Sequence, residues 1–188
     1  MKIYHFGGAK SESERFFKES LVDYIKETGL DIPEAALCEG ARVSKGPHGK
    51  PFFGDPALSG IYFSKSHTEG HELLCFSDSE IGIDCENTEA RPGISERFMS
   101  IAERYFTEGE QAYIRAADGV TGRVQGEPMT RFFEIWTAKE AYMKYTGRGF
   151  SEGFRTFSTR DLPEVNIETG RLDEAPHIIY SVCREAGR

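Results

Sequence analysis

Alternating polar and apolar residues predict an opening strand at Lys2 to Phe6, ended by Gly7 and Gly8. From Ser11 to Glu27 the period lengthens to that of a helix, with Phe16, Phe17, Leu21, Tyr24 and Ile25 on one face and Gly29 as its stop. A short helix is expected from Pro33 to about Gly40. Arg42 to Pro56 is dense in Gly and Pro and reads as a loop. Strands follow at Ile61 to Ser66, Leu73 to Phe76 and Glu80 to Glu86, the last two separated by the turn Ser77-Asp78-Ser79. After a polar loop at Asn87 to Pro92, helices are predicted at Ile94 to Phe106 and Glu108 to Ala117, broken near Thr107. Asp118 to Pro128 is Gly-rich and polar, hence a loop. Phe132, Ile135, Trp136, Tyr142 and Met143 then mark an amphipathic helix that Gly147 and Gly149 terminate. Strand-like runs at Phe154 to Ser158, Val165 to Ile167 and Ile178 to Cys183 complete the chain. No internal repeat is visible in the residues themselves.

At 188 residues the chain can bury a real core as one domain or two intimately packed halves. Its formal net charge of −8 argues against general nucleic-acid binding, which depends on phosphate neutralisation by Lys and Arg. An anionic ligand therefore needs a local basic cluster. No apolar run reaches the ~20 residues that span a bilayer. The opening Met-Lys-Ile-Tyr-His-Phe has no signal-peptide core, so a cytoplasmic location without membrane attachment is expected. Cys38, Cys75, Cys85 and Cys183 lack Cys-x-x-Cys spacing and read as free thiols.

Two stretches carry candidate chemistry. In Glu80 to Glu86, a period of two puts Ile81, Ile83 and Cys85 on one face and Gly82, Asp84 and Glu86 on the other. Two carboxylates aimed the same way are costly without a cation, and oxygen donors with no His or Cys beside them favour Mg²⁺ or Mn²⁺. Gly82 on that face leaves room for a ligand to approach the backbone. The alternative is an exposed edge with two solvated acids. In the helix after Phe132, Lys139 falls within the apolar stripe, with Glu140 and Lys144 one turn apart along its edge. Lys139 must snorkel outward or meet an anion, and Glu140 with Lys144 is either a surface pair or part of an ion site. Arg42, Lys45, His48 and Lys50 make the loop before Pro56 locally basic, either an ordinary surface loop or a rigid arm closing on a phosphorylated ligand. Ser66 and His67 are adjacent, but without a placed acid they make a poor case for a hydrolase triad.

Taken together, three stretches resemble the phosphopantetheinyl transferases, in particular their larger Sfp-type branch. Gly49-Lys50-Pro51 with Phe63-Ser64-Lys65-Ser66-His67 looks like the first family motif, Gly82-Ile83-Asp84-Cys85-Glu86 like Gly-x-Asp-x-Glu, and Trp136-Thr-Ala-Lys139-Glu140-Ala-Tyr-Met-Lys144 like Trp-x-x-Lys-Glu-Ala-x-x-Lys. The resemblance covers about Gly46 to Phe157. It implies an α+β fold of two similar halves about a pseudo-twofold axis, divided as residues 1–90 and 91–188, with the ligand in the cleft between them. It also implies Mg²⁺-dependent transfer of the 4′-phosphopantetheine arm of coenzyme A to a serine of an apo carrier protein, releasing 3′,5′-ADP, by a monomer. Asp84 and Glu140 would ligate the metal, with Glu86 a ligand directly or through water. Glu140 would accept the serine proton and Lys144 would stabilise or protonate the phosphate. Lys50 and His67 would hold coenzyme A phosphates, with Ser66 nearby and Lys139, Arg42 and Lys45 as further contacts. Glu110 matches a supporting acid, and Arg123, Arg131 and Arg148 form a candidate patch for an acidic carrier. Two rivals stand beside this reading: another Mg²⁺-dependent phosphotransfer or pyrophosphate-cleaving enzyme using the same carboxylates, and a non-catalytic relative that binds carriers or coenzyme A, against which the intact Asp84, Glu86, Lys139, Glu140 and Lys144 set speaks.

Overall fold

The computed structural model describes residues 1–38, 42–89, 94–116, 127–149 and 153–187. It is mixed α/β, with strands β1 (Lys2–Gly7), β2 (Val43–Lys45), β3 (Pro51–Phe53), β4 (Tyr62–Thr68), β5 (His71–Ser77), β6 (Ile81–Asn87), β7 (Val165–Leu172) and β8 (Ala175–Glu185). The helices are α1 (Ser13–Thr28), α2 (Glu34–Cys38), α3 (Ile94–Tyr105), α4 (Glu108–Arg115) and α5 (Glu127–Thr146). Gly29 ends α1 in the left-handed region at φ 68°, as its position after the last apolar residue predicts. Among the described residues, no helix is long and apolar enough to cross a membrane.

The strands form two antiparallel three-stranded sheets, in the orders β1-β5-β4 and β6-β8-β7. In both, the first strand is followed by helix and then by a hairpin whose second strand occupies the centre. This repeat of topology is invisible in the residues because it lies in connectivity and not in matching side chains. A division after residue 90 leaves β6 in the first half, whereas its pairing with β8 puts it in the second sheet, so the sheets change over at the Ser77 to Ile81 turn. The loop expected between Asn87 and Pro92 lies partly outside the described residues, as does the one expected from Asp118 to Pro128.

Strand alternation arranges the layers. In β5, Leu74 and Phe76 pack with Leu21, Tyr24 and Ile25 of α1, while Leu73 and Cys75 pack with Ile81, Ile83 and Cys85 of β6. In β8, Ile178 and Val182 join that central layer, while Ile179 and Cys183 turn to the helical side. The result is helix, sheet, sheet, helices. Where β4 meets β6, the sheets are joined through alternate hydroxyls. The Ile83 N–H donates to Ser64 Oγ at 3.0 Å, the Asn87 N–H to Thr68 Oγ1 at 3.2 Å, and Ser66 Oγ–H to Asp84 Oδ1 at 2.7 Å.

Three local expectations change. Part of the 42–56 loop is the β2–β3 hairpin, with Lys45 opposite Pro51 and Gly49 at φ 85° in the turn. The strand expected at Phe154 to Ser158 is a 3₁₀ turn at Phe154–Thr156. Its carbonyls are directed at the Lys139 ammonium, which leaves no ladder for a strand to join. Gly82 serves the helix and not a ligand: a Cβ there would stand 2.0 Å from the Ala141 carbonyl oxygen and 2.4 Å from the Tyr145 nitrogen, both in α5. Gly82→Ala should therefore cost at least about 3 kcal/mol by overpacking. The expected readout is a melting temperature lower by about 6–12 °C.

A histidine cluster links the two sheets. His5 Nε2 and His71 Nδ1 stand 2.9 Å apart, His177 of β8 meets the His71 ring edge-on, and Glu174 Oε1 is 3.3 Å from His5 Nδ1. Burial, reinforced by the neighbouring His5 and His177, holds the His71 imidazole below its usual range. Just below pH ~6.5 the unfolded chain thus binds more protons than the folded one, so this stability is present above ~6.5 and lost as pH falls. Thermal melts between about pH 7 and about pH 5 should show a steeper loss for the parent chain than for His71→Phe.

Candidate active site

The contact at Gly82 fixes where the charged groups of α5 meet β6. One strand step beyond Gly82 on the same face, Asp84 is 6 % exposed, and its Oδ1 accepts from Lys144 Nζ at 2.7 Å as well as from Ser66. Lys144 also reaches the Lys65 carbonyl oxygen of β4 at 3.4 Å. Burial pushes the Asp84 carboxyl up, against the opposing pull of Lys144, Ser66 and the Cys85 amide. Its second oxygen, Oδ2, is buried and has no hydrogen-bond partner among the described residues. Glu86 is buried on the same face of β6.

Glu140, one turn before Lys144, lines with it a cavity of about 270 Å³. The opposite wall is the β2–β3 turn, His48 to Pro51, with Phe63, Ser64 and Lys65 of β4 along the side and Gly147 and Gly149 beyond the end of α5. Three cations line the cavity: Lys50 from the β2–β3 turn, Lys65 from β4 and Lys144 from α5.

Asp84 Oδ2 is a hard, buried donor of the kind that suits Mg²⁺ or Mn²⁺. Among the described residues, no three His, Cys, Asp or Glu side chains stand close enough together to hold a metal ion. Asp84 is neutralised in this conformation by Lys144.

Several expected ligand contacts take other positions. Lys139 is fully buried: its ammonium donates to the Phe154 and Phe157 carbonyl oxygens at 2.7 and 2.6 Å and stands 3.0 Å from Glu110 Oε2. With all three donors engaged it has no reach to the cavity. Glu110 is equally enclosed, closing a capping box with Thr107 and accepting from Thr159 on its other oxygen. Ser66 points inward to Asp84. His67, the next residue on the strand, faces the other way, as strand alternation requires. It lines a separate cavity of about 550 Å³ with Lys10, Glu72 and His71, and Lys65 borders both cavities. Arg42, just before β2, and Lys45, at its end, are exposed and do not line the first cavity, to which their hairpin contributes only its turn. Lys50 does line it, but its ammonium is engaged by Glu80 and by the Tyr145 carbonyl.

The carrier patch does not assemble as expected. Arg131 donates to the Tyr113 carbonyl at 2.8 Å and lies over that residue's ring, while Arg148 is exposed past the far end of α5, about 25 Å of helix away. Arg123 lies outside the described residues. Sequence reasoning missed Ser64 and Glu80. The alternation Ser64, Ser66, Thr68 was a readable signal for a polar seam, whereas nothing near Glu80 in the chain points to Lys50.

Lys139 and Glu110 sit where neither charge can reach water. Breaking the pair by Glu110→Gln should cost about 3–5 kcal/mol, because it strands a buried ammonium. Urea denaturation should show the double variant Glu110→Gln with Lys139→Met losing less than the sum of the single changes.

Comparison with known proteins places this geometry in a lineage. The profile of the 4′-phosphopantetheinyl transferase superfamily matches residues 80–186, more than half of the chain. The chain is 34% identical over 120 residues to 4′-phosphopantetheinyl transferase Sfp of Bacillus subtilis (strain 168), covering 63% of this chain and 47% of that protein. It is 32% identical over 120 residues to 4′-phosphopantetheinyl transferase gsp of Aneurinibacillus migulanus, covering 64% and 42%. A putative 4′-phosphopantetheinyl transferase of Synechocystis is 32% identical over 124 residues, covering 65% and 44%. The match to each of these relatives spans less than half of its length.

Proposed function

The chain belongs to the 4′-phosphopantetheinyl transferase superfamily, and from that premise we propose that it transfers the 4′-phosphopantetheine arm of coenzyme A to a serine hydroxyl of an apo carrier protein. The bond formed joins the serine oxygen to the phosphorus that bears pantetheine, and the bond broken is the diphosphate bridge, so 3′,5′-ADP leaves. The observation that carries this reading is the buried Asp84, with one oxygen held by Ser66 and Lys144 and the other without a partner among the described residues, beside a cavity walled by both sheet units.

Asp84 and Glu140 would hold Mg²⁺ or Mn²⁺, with Glu86 joining directly or through water. When bound, the ion supplies charge neutralisation on the diphosphate oxygens. Lys144 stabilises the charge that develops on the leaving phosphate, reaching it from the position where it now meets Asp84. Ser66 fixes the Asp84 rotamer, and Ser64 fixes the strand on which Asp84 sits, so the carboxylate is oriented before ligand arrives. Glu140, at the cavity wall, accepts the serine proton. Lys50, Lys65 and, across the strand, His67 offer cationic or hydrogen-bonding groups to the phosphates of coenzyme A. Two units of like topology in one chain supply both walls of the cavity, which supports a monomeric enzyme. Buried free Cys75, Cys85 and Cys183 support a reducing, cytoplasmic setting.

Incubation with Mg²⁺, coenzyme A and a set of apo carriers should raise the mass of a carrier by one phosphopantetheine. Chelation by EDTA, Asp84→Ala and Glu140→Ala should each lower the rate by at least about 100-fold while the protein stays folded. Full activity of Asp84→Ala, or consumption of coenzyme A with every carrier unmodified, would overturn the assignment.

A further inference from the structure

Lys50 does more than line the cavity, and the residue that governs it is Glu80. The Lys50 ammonium donates to the Tyr145 carbonyl oxygen at 2.5 Å and to Glu80 Oε2. Tyr145 lies in the last turn of α5, whose final carbonyls have no partner within the helix and whose dipole favours a cation. The Lys50 stem crosses Gly147, which is at φ 66°, and a Cβ there would stand 2.9 Å from Lys50 Cδ. Glu80 directly precedes β6, the strand of Asp84. A single ammonium thus ties the β2–β3 turn, the end of the helix carrying Glu140 and Lys144, and the start of the strand carrying Asp84.

We infer that Glu80 is a positioning residue: with the Tyr145 carbonyl it clamps Lys50 across the seam between the two units and aims its remaining N–H at an anionic group of the ligand. An ammonium has three donors, and two are committed. Glu80 is not part of the cavity lining and its side chain is half exposed, while that of Lys50 is 20 % exposed. The carboxylate therefore grips the ammonium from the solvent side and does not fill the space a ligand phosphate needs. The clamp also sets cavity width, because both walls end on it. The identity of the ligand anion, a coenzyme A phosphate, rests on the function proposed above; the clamp itself does not.

The test has two arms. Hydrogen exchange on the ligand-free chain should quicken in Glu80→Ala at residues 46–50 and 143–149 with the rest unchanged, and Glu80→Gln should show a smaller effect. Unaltered exchange there overturns the clamp whatever the ligand. Calorimetry and steady-state kinetics with coenzyme A should show binding weaker by about 5–10-fold in Glu80→Ala and about 2–3-fold in Glu80→Gln. The rise should appear in KM for coenzyme A, with kcat changed by less than about twofold and melting temperature nearly constant. Tighter binding in Glu80→Ala would overturn the inference and make Glu80 a competitor of the ligand. If the parent chain binds no coenzyme A yet exchange quickens as expected, the functional reading falls and the clamp stands.

Discussion

The backbone of α5 lies directly on β6 at Gly82, and every charged contact of the site follows from that closeness. With no side chain at position 82, the carbonyl of Ala141 and the amide of Tyr145 approach the strand where a Cβ cannot fit. Lys144 is then within hydrogen-bond reach of Asp84, and Glu140 is set one turn away at the cavity wall. A helix displaced outward by the width of one methyl group lengthens the 2.7 Å contact beyond hydrogen-bonding range. Interior packing resists such displacement because neighbouring side chains leave it no room.

Two kinds of polar burial hold the site in place, and they act differently. The Lys139 and Glu110 pair is enclosed: six backbone and hydroxyl groups and two aromatic rings surround it, and it fixes α4, α5 and the 3₁₀ turn at Phe154 to one another. Such a pair gives little net stability over an apolar substitute but penalises every arrangement that separates its members. Asp84 is buried with less compensation, since one of its oxygens has no donor among the described residues. A buried carboxylate oxygen in that state carries a desolvation cost that the fold around it does not offset.

The seam between the sheets is polar for a related reason. An apolar seam could hold β4 against β6, but it could not orient a carboxylate between them. Ser64 and Thr68 take backbone amides of β6 that would otherwise lack partners along this edge, and Ser66, between them in the alternation, turns the same chemistry on Asp84. Phe63, Lys65 and His67 fall on the other face of β4, and residues of both faces border the two cavities, Ser64 the first and Thr68 the second.

The amino-acid sequence by itself determined most of the elements, though not the β2–β3 hairpin or the 3₁₀ turn at Phe154, together with the paired face of Asp84 and Glu86, the neighbourhood of Glu140 and Lys144, and the family, because strand and helix periods assign side chains to faces without knowledge of what those faces meet. It could not assign partners. Lys139 within an apolar stripe was compatible with a ligand anion or an internal one, and only the fold of residues 107–110 and 153–159 around it supplied Glu110 and two carbonyls. Gly82 was compatible with a ligand or a helix at close range, and tertiary packing gave the place to α5. The repeated sheet topology, the pairing of β6 with β8 and the reach of Lys50 to Glu80 are likewise set by contacts between residues far apart in the chain. Local periodicity carries no record of such contacts, so only the folded molecule decides them.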